Sequence, residues 1–198
     1  VKEPKVISFN GEPVKTFIQF CVEKVGKEAI ILIGRNGGYA ELSEMSTKDY
    51  DIKTSYYFYE NANIMPSKAR IEQELSKYIN EELFFCLKNF EDFEKIGLQI
   101  VYDNPSTTSK IVPKAVVFNV NFPITIKQQE AEVRFTEFTK RIDVKLNEIY
   151  DVSKKITEKQ AIEPDFLPIS HIIGLANKNN LSIFINNLNN DSLLLTIV

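Results

Sequence analysis

The sequence predicts an α+β fold: an antiparallel sheet of about four to six strands packed against two long helices and two shorter ones. Three observations carry that expectation. Val14 to Ile33 and Ser67 to Phe90 repeat their apolar residues every three or four positions, the spacing of one helical face. From Leu98 the period changes to two and stays so through the middle of the chain, as in half-buried strands. From Asn147 the helical period returns, and the chain closes on two short β-prone segments. At 198 residues the chain is long enough to bury a core without staples. It reads as one α+β domain over 1–198, with a helix-rich part (1–97) and a sheet-rich part (98–198) of the same unit.

Taken in order, VISF (6–9) is a possible short strand, and Asn10-Gly11 signals a turn. Pro13 suits a first helical turn, where its missing N–H costs nothing. The first helix turns Val14, Ile18, Cys21, Val25, Ala29 and Leu32 to one side and Glu23, Lys24, Lys27 and Glu28 to the other. Every residue from Ala29 to Ile33 is apolar, so this end is expected to be buried all round. Gly34 or the Gly37-Gly38 pair would stop the helix, because glycine takes a left-handed cap without penalty. Tyr39–Leu42 reads as a short strand, Ser43–Thr54 as a loop, Ser55–Tyr59 as a β-prone aromatic strand and ENANIMP as a turn.

The second helix starts behind Pro66 with Ser67 as its N-cap. Its face is Ile71, Leu75, Ile79, Leu83, Cys86 and Phe90, widened by Tyr78, Phe84 and Leu87, and Gly97 stops the frayed end. LQIVY, KAVVFNVNFPITI and VRFTEFTKRIDVKL then give three or four antiparallel strands, with NPSTTS (104–109) and KQQEAE (127–132) as hairpin loops. Pro123 belongs at a strand edge or a bulge. Asn147–Ala161 is a helix with Ile149, Val152, Ile156 and Gln160 inward. Pro164 and Pro168 break the chain, Ile169–Asn177 is a short helix, and Leu181–Ile185 and Leu193–Val198 form a hairpin around NNLNND.

Composition narrows the class. Hydrophobic residues are 43% and charged residues 26%, with a formal charge of −3, an ordinary globular balance. Lys and Arg are interleaved with Glu and Asp, which argues against a nucleic-acid surface or a polybasic membrane patch. No apolar run approaches the roughly 18 residues of a spanning helix. The chain opens on Val1 and ends in LLLTIV, which reads as mid-strand, so a processed protein or a fragment is expected.

Few residues invite chemistry. Cys21 and Cys86, one on each long helix, are expected to form a disulfide that stabilises the fold by roughly 4 kcal/mol and needs an oxidising compartment. The rival reading is a pair of unbridged core cysteines. A catalytic thiol is disfavoured, because large apolar neighbours raise a thiol pKa. His171 is the single histidine, set in the apolar PISHIIGL, and reads as a packed or surface residue rather than a base. Zinc would need Cys21, Cys86 and His171 to converge without the usual ligand spacing. Glu72, Glu74, Glu81, Glu82, Glu91, Asp92 and Glu94 read as solvated helix faces, and no calcium-loop pattern is present. ILIGRNGG resembles a strand followed by a phosphate-cradling loop, but it lacks the lysine and hydroxyl of a P-loop, so the helix-cap reading is preferred. Tyr56, Tyr57 and Tyr59, with Tyr50 nearby, offer a recognition surface if one strand face meets solvent. Asn180 and Asn190 stand in N-glycosylation acceptor patterns. No catalytic residue, metal or cofactor is assigned.

The succession FIQFCVEKVGKEAIILIGRNGGY, YYFYENANIMPSKARIEQELSKYINEELFFCLKNF and VVFNVNFPITIK resembles a family of uncharacterised archaeal proteins, over roughly Val14 to Val198. Its most recognisable points are the Cys21 helix, Gly37-Gly38-Tyr39, the aromatic strand, Pro66 and the Cys86 helix. The resemblance implies one N-terminal transmembrane segment ahead of this region, further sequence beyond it, and a pilin-like layout with this domain outside the membrane. It implies no activity. The leading expectation is therefore a non-enzymatic, extracytoplasmic or cell-surface domain for attachment, assembly or protein–protein interaction. Its partners would be proteins or other copies of itself, with no nucleic acid, and it would meet the membrane only through an anchor absent from this chain. The alternatives are an extracytoplasmic hydrolase using a carboxylate pair and a small-ligand binding protein using the tyrosines.

Overall fold

The computed structural model describes residues 10–47, 53–164, 169–189 and 192–198. The VISF strand, Tyr50, Pro168 and the Asn190 acceptor lie outside the described residues. The chain is α+β, as expected, with antiparallel sheets throughout.

Helix α1 spans Glu12–Arg35, with Pro13 in its first turn. It buries Val14, Ile18, Cys21, Val22, Val25, Gly26, Ala29 and Ile33. The expectation that its last turn is buried all round is wrong: Ile31 is 71% exposed. The core reaches α1 only from the stripe through Ala29 and Ile33, and Ile31 projects from the other side of the helix. The stop is a Schellman motif, in which Gly38 N–H donates to Ile33 C=O (2.7 Å) and Gly37 N–H donates to Gly34 C=O (3.3 Å). Gly37 and Gly38 both have positive φ, 74° and 98°. A Cβ on Gly38 would come within 2.8 Å of Pro66 Cγ, so the turn also seats the end of α1 against the start of the second helix.

Tyr39–Leu42 is not a strand; the segment runs in bends, because Ala40 N–H is taken by the Glu74 carboxylate (3.0 Å) rather than by a neighbouring strand. The aromatic strand is shorter than the expected Ser55–Tyr59. β1 (Phe58–Tyr59) and β2 (Ala62–Asn63) form a minimal hairpin. Its turn residues Glu60 and Asn61 both have positive φ (46° and 62°), the twist that tight hairpins favour. Ser55 makes an isolated bridge to Ser46.

Helix α2 (Lys68–Leu87) opens on the expected cap, with Arg70 N–H donating to Ser67 Oγ at 3.1 Å. It ends three residues earlier than its apolar pattern suggests. Lys88, Asn89 and Phe90 all take left-handed backbone, φ 48°, 51° and 59°. Each such residue costs about 1–2 kcal/mol. The offset is packing: Phe90 is 1% exposed and stacks on Phe122 (6.5 Å between centroids), with Tyr102 and Phe17 at its edges. A short helix, α3 (Glu91–Glu94), follows.

The main sheet has β3 (Gln99–Tyr102), β4 (Ser106–Val112), β5 (Ala115–Gln128) and β6 (Ala131–Asp143). β5 is its spine. β6 pairs along one edge of it, while β4 (against Ala115–Asn121) and β3 (against Ile124–Lys127) lie end to end along the other. NPSTTS is therefore not a hairpin loop, since Ser106–Ser109 belong to β4. The actual turn is Pro113-Lys114, with Lys114 at φ 60°. Pro123 sits where the β5–β6 register slips between Asn121 and Ile124, at a bulge as expected. One face of β5 buries Val116, Phe118, Val120, Phe122, Ile124 and Ile126. α1 lies on that face: Gly26 brings its backbone so close that a Cβ would stand 2.8 Å from Phe118 and 2.9 Å from Ile142. Asn119, Asn121 and Lys127 occupy the opposite, exposed face of β5, as in sheets solvated on one side.

Helix α4 (Leu146–Ile162), helix α5 (Ile169–Lys178) and the hairpin of β7 (Ile183–Asn189) and β8 (Ser192–Ile197) complete the chain. They build a second, smaller core from Val152, Ile156, Ile172, Ala176 and Leu181, with Ile183, Leu195 and Ile197 against it.

A surface clamp ties α1 to β6: Glu23 pairs with Lys140 at 2.6 Å and Lys27 at 2.7 Å. The Lys140 hydrogen bond, then that from Lys27, lowers the Glu23 pKa from 4.5 to about 2. A depressed carboxylate pKa adds stability that is present above the unfolded value and lost as pH falls through the folded one. Between pH 4.5 and pH 2, urea-unfolding stability of Glu23→Gln is expected to fall less steeply than that of wild type. Equal slopes would show that the clamp is not formed in solution.

Candidate functional site

Both cysteines lie where α1 and α2 run side by side. Cys21 and Cys86 are joined by a disulfide, with their Cα atoms 5.6 Å apart and a separation of 65 positions in sequence. Cys21 is fully buried, while Cys86 is half-buried on the flank of α2. With Gly38 against Pro66 and Ile71 at the opposite end, the bridge fixes the two helices as an antiparallel pair.

Of the carboxylates expected on solvated helix faces, Glu81, Glu91, Asp92 and Glu94 are exposed, but Glu72 and Glu74 are not. Glu74 is only 7% exposed. It pairs with Arg70 at 2.6 Å and accepts Ala40 N–H, which holds the post-α1 turn on α2. Glu72, Ser76 and Asn80 form a row, each one residue beyond a core residue (Ile71, Leu75 and Ile79). This row meets the outer edge of β4. Ile111 N–H donates to Glu72 Oε1 (2.9 Å), Ser109 N–H to Ser76 Oγ (2.9 Å) and Thr107 N–H to Asn80 Oδ1 (2.9 Å). Lys110 adds an ion pair to Glu72 at 3.0 Å. The periods match: four helical residues rise about 6 Å, and two strand residues about 6.7 Å. Side chains spaced by four can thus serve alternate amides over three rungs.

Sequence reading missed this row because each residue alone looks like surface. The available signal was the four-residue spacing of Glu72, Ser76 and Asn80 beside the apolar stripe, together with the Thr107, Ser109, Ile111 alternation. An open groove of about 580 Å³ runs along the same seam, lined by Gln73, Lys77 and Glu81 besides the row itself. Its central polar groups are engaged in holding β4.

The tyrosines divide. Tyr56 and Tyr59 stack on each other, 5.3 Å between centroids, and Tyr59 is exposed. Tyr57 turns the other way. It lines a small cavity of about 40 Å³ with Gly38, Ile71, Ile149 and Tyr150. Burial, then the nearby Tyr150 and Tyr39, push its pKa up to about 12. Tyr150 works structurally. Its hydroxyl accepts Lys68 N–H at 3.1 Å, and Lys68 Nζ lies over its ring while bonding Asn147 (2.7 Å) and Asp151 (3.2 Å). α4 is thereby docked on the start of α2.

His171 is exposed on α5. Asn180 is exposed in the turn after α5 at φ 52°, and its carbonyl accepts from Lys145 Nζ at 2.7 Å. Among the described residues no three His, Cys, Asp or Glu side chains are grouped to hold a metal, and no helix is long and apolar enough to cross a membrane.

Two outcomes are expected in urea unfolding. Replacing both cysteines by alanine should cost about 4 kcal/mol in the chain-entropy account, and an unchanged midpoint would contradict a bridge that constrains the unfolded chain. Ser76→Ala leaves a buried N–H unpaired and should cost about 1–3 kcal/mol. A neutral result would mean that water replaces the hydroxyl without loss.

No protein-family model, curated protein or solved structure matches the chain.

Proposed function

We propose that this chain is a non-enzymatic extracytoplasmic domain, displayed at the cell surface by an anchor ahead of it, that serves attachment, assembly or protein–protein interaction. The observation that carries the reading is the Cys21–Cys86 disulfide, since such bonds form and persist in oxidising compartments. The anchor and the archaeal setting rest on the sequence resemblance. The use made of the polar side chains supports a scaffold. Glu72, Ser76 and Asn80 hold an edge strand, Glu74 holds a turn, and Tyr150 with Lys68 docks α4. The Tyr56–Tyr59 ring pair, half-buried at Tyr56 and exposed at Tyr59, is the contact surface assigned to a protein partner. Asn180, exposed in its turn, is the candidate glycan acceptor.

The test uses cells that make the protein. Membrane-impermeant amine labelling should reach the chain from outside, and non-reducing peptide mapping should recover the Cys21–Cys86 pair intact. Cross-linking on the same cells should join it to protein neighbours. Free thiols in a chain protected from the external label would overturn the reading.

A further inference from the structure

The edges of β6 and β8 are treated in opposite ways. The β6 edge carries Glu132, Arg134, Glu137, Lys140, Arg141 and Asp143, the charged protection that keeps an edge from pairing with another chain. The β7–β8 hairpin has none. Between Lys178 and Val198 the single charged residue is Asp191, and β8 (Ser192–Ile197) reads SLLLTI. Among the described residues β8 has only β7 as a neighbour. The hairpin also shows apolar side chains to solvent on both faces, Leu193 of β8 at 46% and Phe184 of β7 at 58% exposure.

The hydrogen-bond phase tells which groups face outward. Ser182 and Val198 exchange both backbone bonds (2.8 and 2.9 Å). In an antiparallel pair such residues alternate, so Phe184/Thr196 and Asn186/Leu194 are bonded in the same way. Leu193, Leu195 and Ile197 therefore turn their N–H and C=O away from β7, toward the open edge. Groups in that position are a template for another strand.

We propose that this edge is a homotypic docking site, where β8 pairs antiparallel with β8 of a second copy and doubles the two-stranded sheet. The inference rests on the reading of the chain as an assembly domain and names its partner. Self-complementarity selects the second copy. A two-fold axis at Leu195 sets Leu195 against itself, Leu193 against Ile197 and Leu194 against Thr196, and no like charges meet. The same operation on β7, centred at Ile185, would set Ile183 against Asn187, an apolar residue against an amide. It also relieves a weakness of the hairpin, because two-stranded ribbons are marginal in water and added strands stabilise them.

Sedimentation equilibrium of the full chain, from micromolar to millimolar concentration, should show a monomer–dimer equilibrium. Leu194→Glu/Thr196→Glu places carboxylates opposite one another across the axis, and Leu194→Lys/Thr196→Lys places amines there. Each double variant should associate about tenfold or more weakly than wild type, and an equimolar mixture of the two should recover the dimer. Recovery in the mixture requires both variants to be folded, so misfolding is separated from loss of the contact. A wild type that stays monomeric, or a mixture no better than either variant, would overturn β8 pairing. Neither result bears on the disulfide or on labelling from outside the cell, which test the domain reading separately.

Discussion

A sheet edge exposes a row of amides that need partners, and this fold answers that need on one side with a helix. Glu72, Ser76 and Asn80 of α2 stand against Ile111, Ser109 and Thr107 of β4. The fit depends on a near-coincidence of two repeats, four residues of helix and two of strand. Most else about the larger core follows. α2 must lie alongside the sheet margin and present its apolar stripe one residue out of phase with its polar row. α1 is then left to cover the middle of the sheet, where Gly26 lets it sit directly on Phe118 and Ile142.

The disulfide and the glycine turn secure that arrangement from the two ends of the helix pair. At one end Cys21 is bonded to Cys86. At the other, Gly37 and Gly38 reverse the chain against Pro66, and Glu74 takes the next free amide, that of Ala40. Between them the helices have little freedom to slide. The left-handed run at 88–90 is consistent with this. A strained turn persists when its neighbours over-determine it, and Phe90 is locked among Phe17, Tyr102 and Phe122. The glycine stretch that resembles a phosphate loop is thus a joint between helices.

Much of this was legible in the sequence because it is written in single residues or simple periods. The long helices, the Ser67 cap, the Pro123 bulge and the facing cysteines are of that kind. What escaped depends on partners distant in the chain. β4 begins Ser-Thr-Thr-Ser and looks like a loop, since its inward residues Thr107 and Ser109 meet a polar helix row instead of a greasy core. Glu74 looks like surface until Ala40 is brought to it. Ile31 belongs to an apolar run, yet it lies on the uncovered side of α1. As a full strand, the tyrosine segment would present two clean faces. Its ladder is only Phe58–Tyr59, so Tyr57 swings inward while Tyr56 and Tyr59 stack outside.

Glu72, Ser76, Asn80, Glu74 and Tyr150 all serve the seams between elements. The central physical claim is that helix side chains stand in for a missing strand along β4. Native-state hydrogen exchange of the oxidised protein tests it directly. The amides of Thr107, Ser109 and Ile111 should exchange as slowly as the β4 amides that donate to β5. Exchange as fast as that of the outward amides of the open β6 edge would contradict the account.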